Sequence, residues 1–148
     1  AATHIGAVLA DVDREQELAL RDYGFNVGIA FQLMDDTLDF IATEDQFGKT
    51  IGKDLEEGKV TLPIIHTLRT SSPADREVII SAIQSPELSN GIVQSVTELV
   101  TKYHGIDYTV DLSLQYVASA KKALSLLPLS PEKDALLSLA DYAITRKR

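Results

Sequence analysis

The sequence has 148 residues, no cysteine and a formal net charge of −8 at pH 7, and 45% of its residues are hydrophobic. These values predict one globular domain over residues 1–148 and exclude disulfides, thiolate metal sites and a disordered or fibrous chain. The acidic balance argues against a nucleic-acid partner, and no apolar run approaches the ~20 residues that cross a membrane, so we expect a cytoplasmic protein without a transmembrane segment.

Apolar residues recur at three- and four-residue steps, which predicts an all-α chain. The end of a first helix is expected in residues 1–10, and Asp11–Asp13 supply side chains suited to capping a second helix from about Arg14 to Ile41. Its expected inward face consists of Leu18, Ala19, Tyr23, Val27, Ala30, Phe31, Met34 and Leu38. Gly24 and Gly28 lie inside this helix, and close approach of another helix is expected to offset their cost of ~0.5–1 kcal/mol each.

Residues 42–60 are polar and contain three glycines, which predicts a loop. A loop of this length within a compact domain is usually functional. Further helices are expected from about Thr61 to Leu68, Ser72 to Ile83, Ser89 to Tyr103, Asp107 to Leu126 and from Ser130 onward. Ser72 and Ser130 each precede a proline, as at helix N-termini, and Gly105 is expected to end a helix.

Helical spacing also assigns inward positions in the later helices. The expected core residues there include Tyr103, Tyr108, Val110, Leu114, Tyr116, Val117, Leu124, Ala135, Leu136, Leu139, Ala140 and Ala143. The three histidines, His4, His66 and His104, lack the spacing of metal ligands, so surface or core positions are expected for them.

An acidic stripe is predicted near the end of the second helix. Gln32, Asp35, Asp36 and Asp39 fall on one side of that helix, because residues three and four apart are neighbours. Like charges so placed repel by roughly 0.2–0.5 kcal/mol per pair, and a divalent cation would reverse that sign. Mg²⁺ binds one or two carboxylates and is usually completed by phosphate oxygens, so the stripe predicts a metal–diphosphate site. The alternative is a solvated acidic face.

Two segments carry a resemblance to a known family. FQLMDDTLD at residues 31–39 and GKTIGKDLEEGKVTLP at residues 48–63 resemble the second aspartate-rich motif and following loop of trans-prenyltransferases. These are the all-trans polyprenyl diphosphate synthases, and the similarity is greatest to the long-chain type that makes quinone side chains. The resemblance implies a helical bundle of the isoprenoid synthase type, which joins an allylic diphosphate to isopentenyl diphosphate.

The same resemblance implies roles for individual residues. Asp35, Asp36 and Asp39 would hold Mg²⁺, and together with Lys49 they would form the catalytic set. Gln32 and Lys49 would contact the allylic diphosphate, and Lys59, in the matching loop, is a further candidate for substrate binding. A solvent-exposed loop lysine is the alternative for Lys49.

Several parts of the family pattern have no candidate in residues 1–148. The first aspartate-rich motif, the adjacent arginines and the basic cluster for isopentenyl diphosphate belong to the family's N-terminal half. The chain is therefore expected to be the C-terminal half of a synthase, inactive alone, whose full-length form is a homodimer. Three alternatives stay open: a non-catalytic subunit of a heteromeric synthase, a terpene cyclase or head-to-head condensing enzyme, and a plain helical scaffold.

Overall fold

The computed structural model describes residues 1–41, 52–85 and 87–145, and this part of the chain is helical without a strand. Its elements in order are α1 (Ala2–Leu9), α2 (Arg14–Ile41), α3 (Lys53–Glu56), α4 (Leu62–Thr70), α5 (Pro73–Gln84), α6 (Asn90–Lys102), α7 (Gly105–Ala123), a 3-10 turn (Leu124–Leu126) and α8 (Pro131–Thr145). The all-α prediction is confirmed. Among the described residues, no helix combines the length and apolar character of a membrane span.

The local capping signals are where the sequence predicts them. The Asp13 carboxylate accepts a hydrogen bond from the Gln16 amide at 2.9 Å, in the first turn of α2. Ser72 caps α5 through the Asp75 amide at 3.2 Å, and Ser130 accepts a bond from the Lys133 amide at the same distance. Each cap satisfies an amide that the helix itself leaves without a partner, which explains why these starts are predictable from local sequence.

The predicted loop at 42–60 is wrong in one respect, because α3 lies inside it. Gly52 begins this short helix in the left-handed region at φ 81°, and Leu55 is buried at 3% exposure. Three polar residues around one leucine give no helical periodicity, so tertiary burial decides the conformation. Residues 42–51, which include Lys49, lie outside the described part of the chain.

The described chain divides into two compact units. The first contains residues 1–34 and the chain from residue 112 onward, and its core consists of Tyr23, Ala30, Val117, Ala120, Leu124 and Ala140. The Tyr23 hydroxyl donates a hydrogen bond to the Leu136 carbonyl at 2.7 Å, and the ring is only 1% exposed. A buried hydroxyl needs such a partner, so this bond connects α2 to α8 at a defined register.

The two glycines of α2 have different surroundings. A Cβ on Gly24 would meet the Thr3 side chain of α1, which confirms the predicted close approach at this position. Among residues 1–41, 52–85 and 87–145, nothing lies within 4 Å of the place where a Cβ on Gly28 would be, so no neighbouring helix in this part of the chain accounts for that glycine.

The second unit contains residues 35–111, and its core forms between α4, α5 and α6. The buried members are Phe40, Leu55, Ile64, Ile79, Ala82, Val96 and Val100. Thr67 and Thr109 are also fully buried, and each hydroxyl donates to a carbonyl four residues earlier at 2.8 Å, Thr67 to Pro63 and Thr109 to Gly105. These bonds allow hydroxyl side chains to lie in the core without an unsatisfied group.

Gly105 does not act as a helix stop. It is the first residue of α7, and His104 before it takes a positive φ of 57° at the corner after α6. A Cβ on Gly105 would lie 2.5 Å from the Pro63 carbonyl oxygen and 2.8 Å from the Thr67 hydroxyl oxygen. The glycine is therefore required by the close packing of α7 against α4.

Several predicted core residues are exposed instead. Phe31 is 40% exposed, and Tyr108 is 42% exposed with its ring stacked on His66 at 4.1 Å between centroids. Leu114 and Leu139 lie at the surface, as does Ala135. In α7 the small neighbour Ser113 takes the inward position in place of Leu114, and in α8 the predicted core residue Ala140 is buried whereas its neighbour Leu139 is not. Small residues let helices pack closely, so the buried face of a helix can be shifted by one residue from its most apolar face.

A polar network on the second unit connects α5 to the end of α6. The Asp75 carboxylate accepts hydrogen bonds from Lys102 Nζ at 2.7 Å and from the Tyr103 hydroxyl at 2.6 Å. The Tyr103 oxygen in turn accepts a bond from the Ser72 amide at 3.1 Å. The Lys102 and Tyr103 bonds hold the pKa of Asp75 below its ordinary value, because they favour the ionised carboxylate.

We expect this network to make stability depend on acid. A folded-state pKa below the unfolded value gives a stabilisation that is complete above the ordinary Asp pKa of 3.8 and is lost as pH falls through the folded pKa. Asp75→Asn should therefore lower the thermal midpoint at pH 7. The difference in thermal midpoint between the variant and the unmodified chain should become smaller below about pH 4. Thermal melts followed by circular dichroism between pH 2 and 8 measure this.

Lys102→Met serves as the partner variant, because it removes the other charge of the same pair. The difference in thermal midpoint between Lys102→Met and the unmodified chain should disappear over the same acidic range. A gap for Asp75→Asn that stays constant down to pH 2 would contradict the assignment of this ion pair.

Candidate functional site

The acidic stripe lies on the C-terminal third of α2, on the side opposite the buried residues of that helix. Asp35, Asp36 and Asp39 are each partly exposed, whereas Thr37 and Phe40 between them are buried. Gln32, one turn earlier on the same helix, is exposed. The C-terminal end of a helix carries negative partial charge, so carboxylates there are electrostatically unfavourable unless a cation compensates them. No basic residue lies in the last turn of α2.

Asp39 joins α2 to the short helix α3 within the second unit. Its carboxylate Oδ2 accepts a hydrogen bond from the Asp54 amide at 3.1 Å, and its backbone carbonyl accepts one from the Gly52 amide, also at 3.1 Å. Burial raises the pKa of Asp39, and the Asp54 carboxylate adds to this, whereas the amides of Asp54 and Lys53 and the charge of Lys59 act in the opposite direction.

Lys59 is held by two carboxylates from the same segment. Its Nζ lies 2.7 Å from Glu57 Oε2 and 3.0 Å from Asp54 Oδ1. The bond to Glu57, and to a smaller extent the bond to Asp54, raises the pKa of Lys59 above its ordinary value. The ammonium is therefore charged throughout the physiological pH range, and it is presented at the surface with 56% side-chain exposure.

The structure brings only some of the predicted site residues together. Asp39 and Lys59 are connected through Asp54, whose amide donates to the first and whose carboxylate binds the second. Asp35 and Asp36 occupy the adjoining turn of α2. The position of Lys49 falls outside the described residues. Sequence reasoning missed the part that Glu57 plays in holding Lys59, although its place two residues earlier in DLEEGK was a usable signal.

A divalent ion is compatible with this donor set. Among residues 1–41, 52–85 and 87–145, no three His, Asp or Glu side chains converge on one point that could hold a metal. Mg²⁺ does not need such a cage, because it usually takes one or two carboxylates and completes its octahedron with water and phosphate oxygens. The partly exposed carboxylates of Asp35 and Asp36 on α2 fit that mode of binding.

The helical architecture and the acidic stripe together define an all-α protein of the isoprenoid synthase type. The family model named Polyprenyl synthetase matches residues 1–100, and the chain belongs to that family. The described elements agree with a solved relative: the chain superimposes on a polyprenyl synthase from Caulobacter crescentus CB15, complexed with calcium and isoprenyl diphosphate, with a TM-score of 0.89. That pair is 39% identical, over 99% of this chain and 45% of the other.

Two further relatives show the breadth of the similarity. The octaprenyl diphosphate synthase of Escherichia coli K12 is 37% identical over 100% of this chain, and a short chain isoprenyl diphosphate synthase of Methanothermobacter thermautotrophicus is 35% identical over 99%. The chain spans less than half of the length of these proteins, 46% and 45%. Relatives named for long and for short products are thus equally similar, so overall identity does not indicate product length.

Proposed function

We propose that this chain forms part of a trans-prenyltransferase that joins an allylic diphosphate to isopentenyl diphosphate. The observation that carries the proposal is the partly exposed acidic stripe of α2, followed by a lysine-bearing turn, in a member of the Polyprenyl synthetase family. The calcium and isoprenyl diphosphate in the Caulobacter relative support a site for a divalent ion and a prenyl diphosphate. The C-terminal-half assignment, the long-chain product for quinone side chains, the homodimer and the cytoplasmic location are part of this proposal.

Asp35, Asp36 and Asp39 are the predicted metal ligands, and in the proposed site the first two would hold Mg²⁺, because the Asp39 carboxylate already accepts the Asp54 amide. When bound, the ion would neutralise charge on the diphosphate as the allylic carbon–oxygen bond breaks. Lys59 and the predicted Lys49 would add charge-assisted hydrogen bonds to diphosphate oxygens, which are about twice as strong as neutral ones. The Gln32 amide would donate a further bond to the same group. These contacts become more favourable as charge develops on the leaving diphosphate, so they lower the barrier to ionisation.

The other readings of the stripe receive less support. The relatives described above are all named as synthases, which gives no support to a terpene cyclase or a non-catalytic subunit. A plain scaffold would not need carboxylates at the unfavourable end of α2.

The proposal predicts that the 148-residue chain binds magnesium pyrophosphate but does not elongate prenyl chains. Elongation needs a second metal clamp and a pocket for isopentenyl diphosphate, for which residues 1–148 offer no candidate. The chain is incubated with farnesyl diphosphate, radiolabelled isopentenyl diphosphate and Mg²⁺, and butanol-extractable product is counted. The Escherichia coli octaprenyl diphosphate synthase is the positive control. Elongated product from this chain alone would refute the prediction of an inactive half.

Calorimetry tests the binding half of the proposal. Pyrophosphate should bind in the presence of Mg²⁺ and much more weakly in the presence of EDTA, because the acidic stripe repels the free anion. Equal affinity with and without Mg²⁺ would show that the lysines alone account for binding and would remove the proposed role of the carboxylates.

A further inference from the structure

The short helix α3 receives its N-terminal cap from a distant residue. Its own N-cap position is Gly52, which has no side chain, and the helix makes no side-chain cap bond of its own. Asp39 on α2 supplies the missing acceptor, because its carboxylate takes the amide hydrogen bond of Asp54 at 3.1 Å. The Gly52 amide is satisfied by the Asp39 backbone carbonyl at 3.1 Å. One residue therefore satisfies two amides at the start of α3, those of Gly52 and Asp54.

A helix of four residues has little stability of its own, so its position depends on such anchors. Leu55 anchors it on the inner side, where it is buried in the same core as Phe40, the residue after Asp39. On the outer side the only capping acceptor among the described residues is Asp39. The turn that follows is set by the helix, since the Lys59 amide donates to the Asp54 carbonyl at 2.8 Å and Gly58 takes a positive φ of 75°.

We propose that Asp39 is a positioning residue, which places Lys59 by holding the segment Gly52–Lys59 against α2. Its contribution comes from accepting backbone amides and not mainly from ligating a metal. The inference rests on the proposed function only in the identity of what Lys59 contacts, a diphosphate. It assigns the metal chiefly to Asp35 and Asp36, and it separates the three aspartates of the stripe into two roles.

The chemistry distinguishes these roles clearly. An amide-accepting position needs an oxygen atom at the right place, which asparagine supplies as well as aspartate. A magnesium ligand needs the negative charge, which asparagine lacks.

The experiment compares Asp39→Asn, Asp39→Ala and Asp35→Asn in the 148-residue chain. Amide exchange at Asp54, followed by NMR, reports the cap, and calorimetry with magnesium pyrophosphate reports the site. We expect Asp39→Asn to keep slow exchange and an affinity within about threefold of the unmodified chain. Asp39→Ala should speed exchange of the Asp54 amide and weaken binding by about tenfold or more, the scale measured for groups that orient a metal site.

A double-mutant cycle with Lys59→Met tests whether Asp39 acts through Lys59. In the Lys59→Met background, Asp39→Ala should weaken binding little further, because the lysine it places is gone. Full additivity would show that Asp39 acts on the ligand independently of Lys59 and would overturn the proposal.

Two other outcomes would also overturn it. One is a loss of affinity in Asp39→Asn as large as that in Asp35→Asn, which would make Asp39 a metal ligand. The other is unchanged amide exchange in Asp39→Ala. If Asp39→Ala does not fold, the comparison of Asp39→Asn with Asp35→Asn still decides between the two roles. Failure of Asp35→Asn to alter binding would count against the proposed function, whereas the exchange data would still test the cap.

Discussion

Replacing Asp35 by asparagine is expected to weaken binding of magnesium pyrophosphate by at least about a hundredfold. Removing a group that only orients a metal ligand already costs about 10–100-fold, and Asp35 is proposed to ligate the ion itself. The substitution keeps the size and the helical propensity of the residue nearly unchanged, so the loss reports charge and not folding. Calorimetric titration of the unmodified and substituted chains at equal Mg²⁺ concentration measures the change.

Asp22→Asn is the matched control for this experiment. Asp22 lies on the same helix, is exposed, and pairs with Arg21 at 2.8 Å. It lies more than three turns before Asp35, so its substitution removes one negative charge from α2 without touching the stripe. We expect its affinity for magnesium pyrophosphate to stay within about twofold, the scale of a screened exposed charge. Equal losses in the two variants would indicate a general electrostatic effect and would remove Asp35 from the proposed site.

Replacing Gly105 by alanine is expected to produce the largest loss of stability. The added Cβ would lie 2.5 Å from the Pro63 carbonyl oxygen, and this neighbour is backbone that cannot rotate away. It would also press on the Thr67 hydroxyl, which donates to that same carbonyl. We expect the free energy of unfolding to fall by about 2–3 kcal/mol, the upper range for overpacking, which corresponds to a thermal midpoint lower by about 5–10 °C.

Gly28→Ala is the control, because no atom of the residues that the structure describes lies within 4 Å of the Cβ it would add. An alanine inside α2 should stabilise the chain by about 0.5–1 kcal/mol, since glycine in a helix interior loses more conformational freedom on folding. Urea unfolding of both variants measures the loss of stability expected for Gly105→Ala and the gain expected for Gly28→Ala. A neutral Gly105→Ala variant would show that α4 and α7 are not packed as closely as the structure has them.

The sequence is sufficient for those features that depend on local signals. The bounds of α2, from Arg14 to Ile41, and the serine and aspartate caps at Asp13, Ser72 and Ser130 follow from residues within one turn of each helix end. The clustering of Asp35 with its neighbours on one exposed side of α2 likewise follows from helical geometry alone. Family membership, too, could be recognised from the two motifs that flank residues 42–47.

Burial of individual residues was less predictable. Periodicity identifies the inward face of a helix to within about one residue. Leu114 and Leu139 lie next to that face and are exposed, although their spacing predicts burial. Which of two neighbouring residues is buried depends on how closely the partner helix approaches. Ser113 and Ala140 are buried, and both are small enough to allow a close approach.

What the sequence by itself determined is the helical class of the chain, the positions of its capped helices and the acidic stripe on α2. Only the tertiary structure decided that α3 forms, that Asp39 caps it, and that Gly105 is needed for packing and does not stop a helix. The physical reason is separation along the chain. Asp39 meets Asp54 fifteen residues away, and Gly105 meets Pro63 across an intervening pair of helices, so no signal within a few residues of either position reveals its partner.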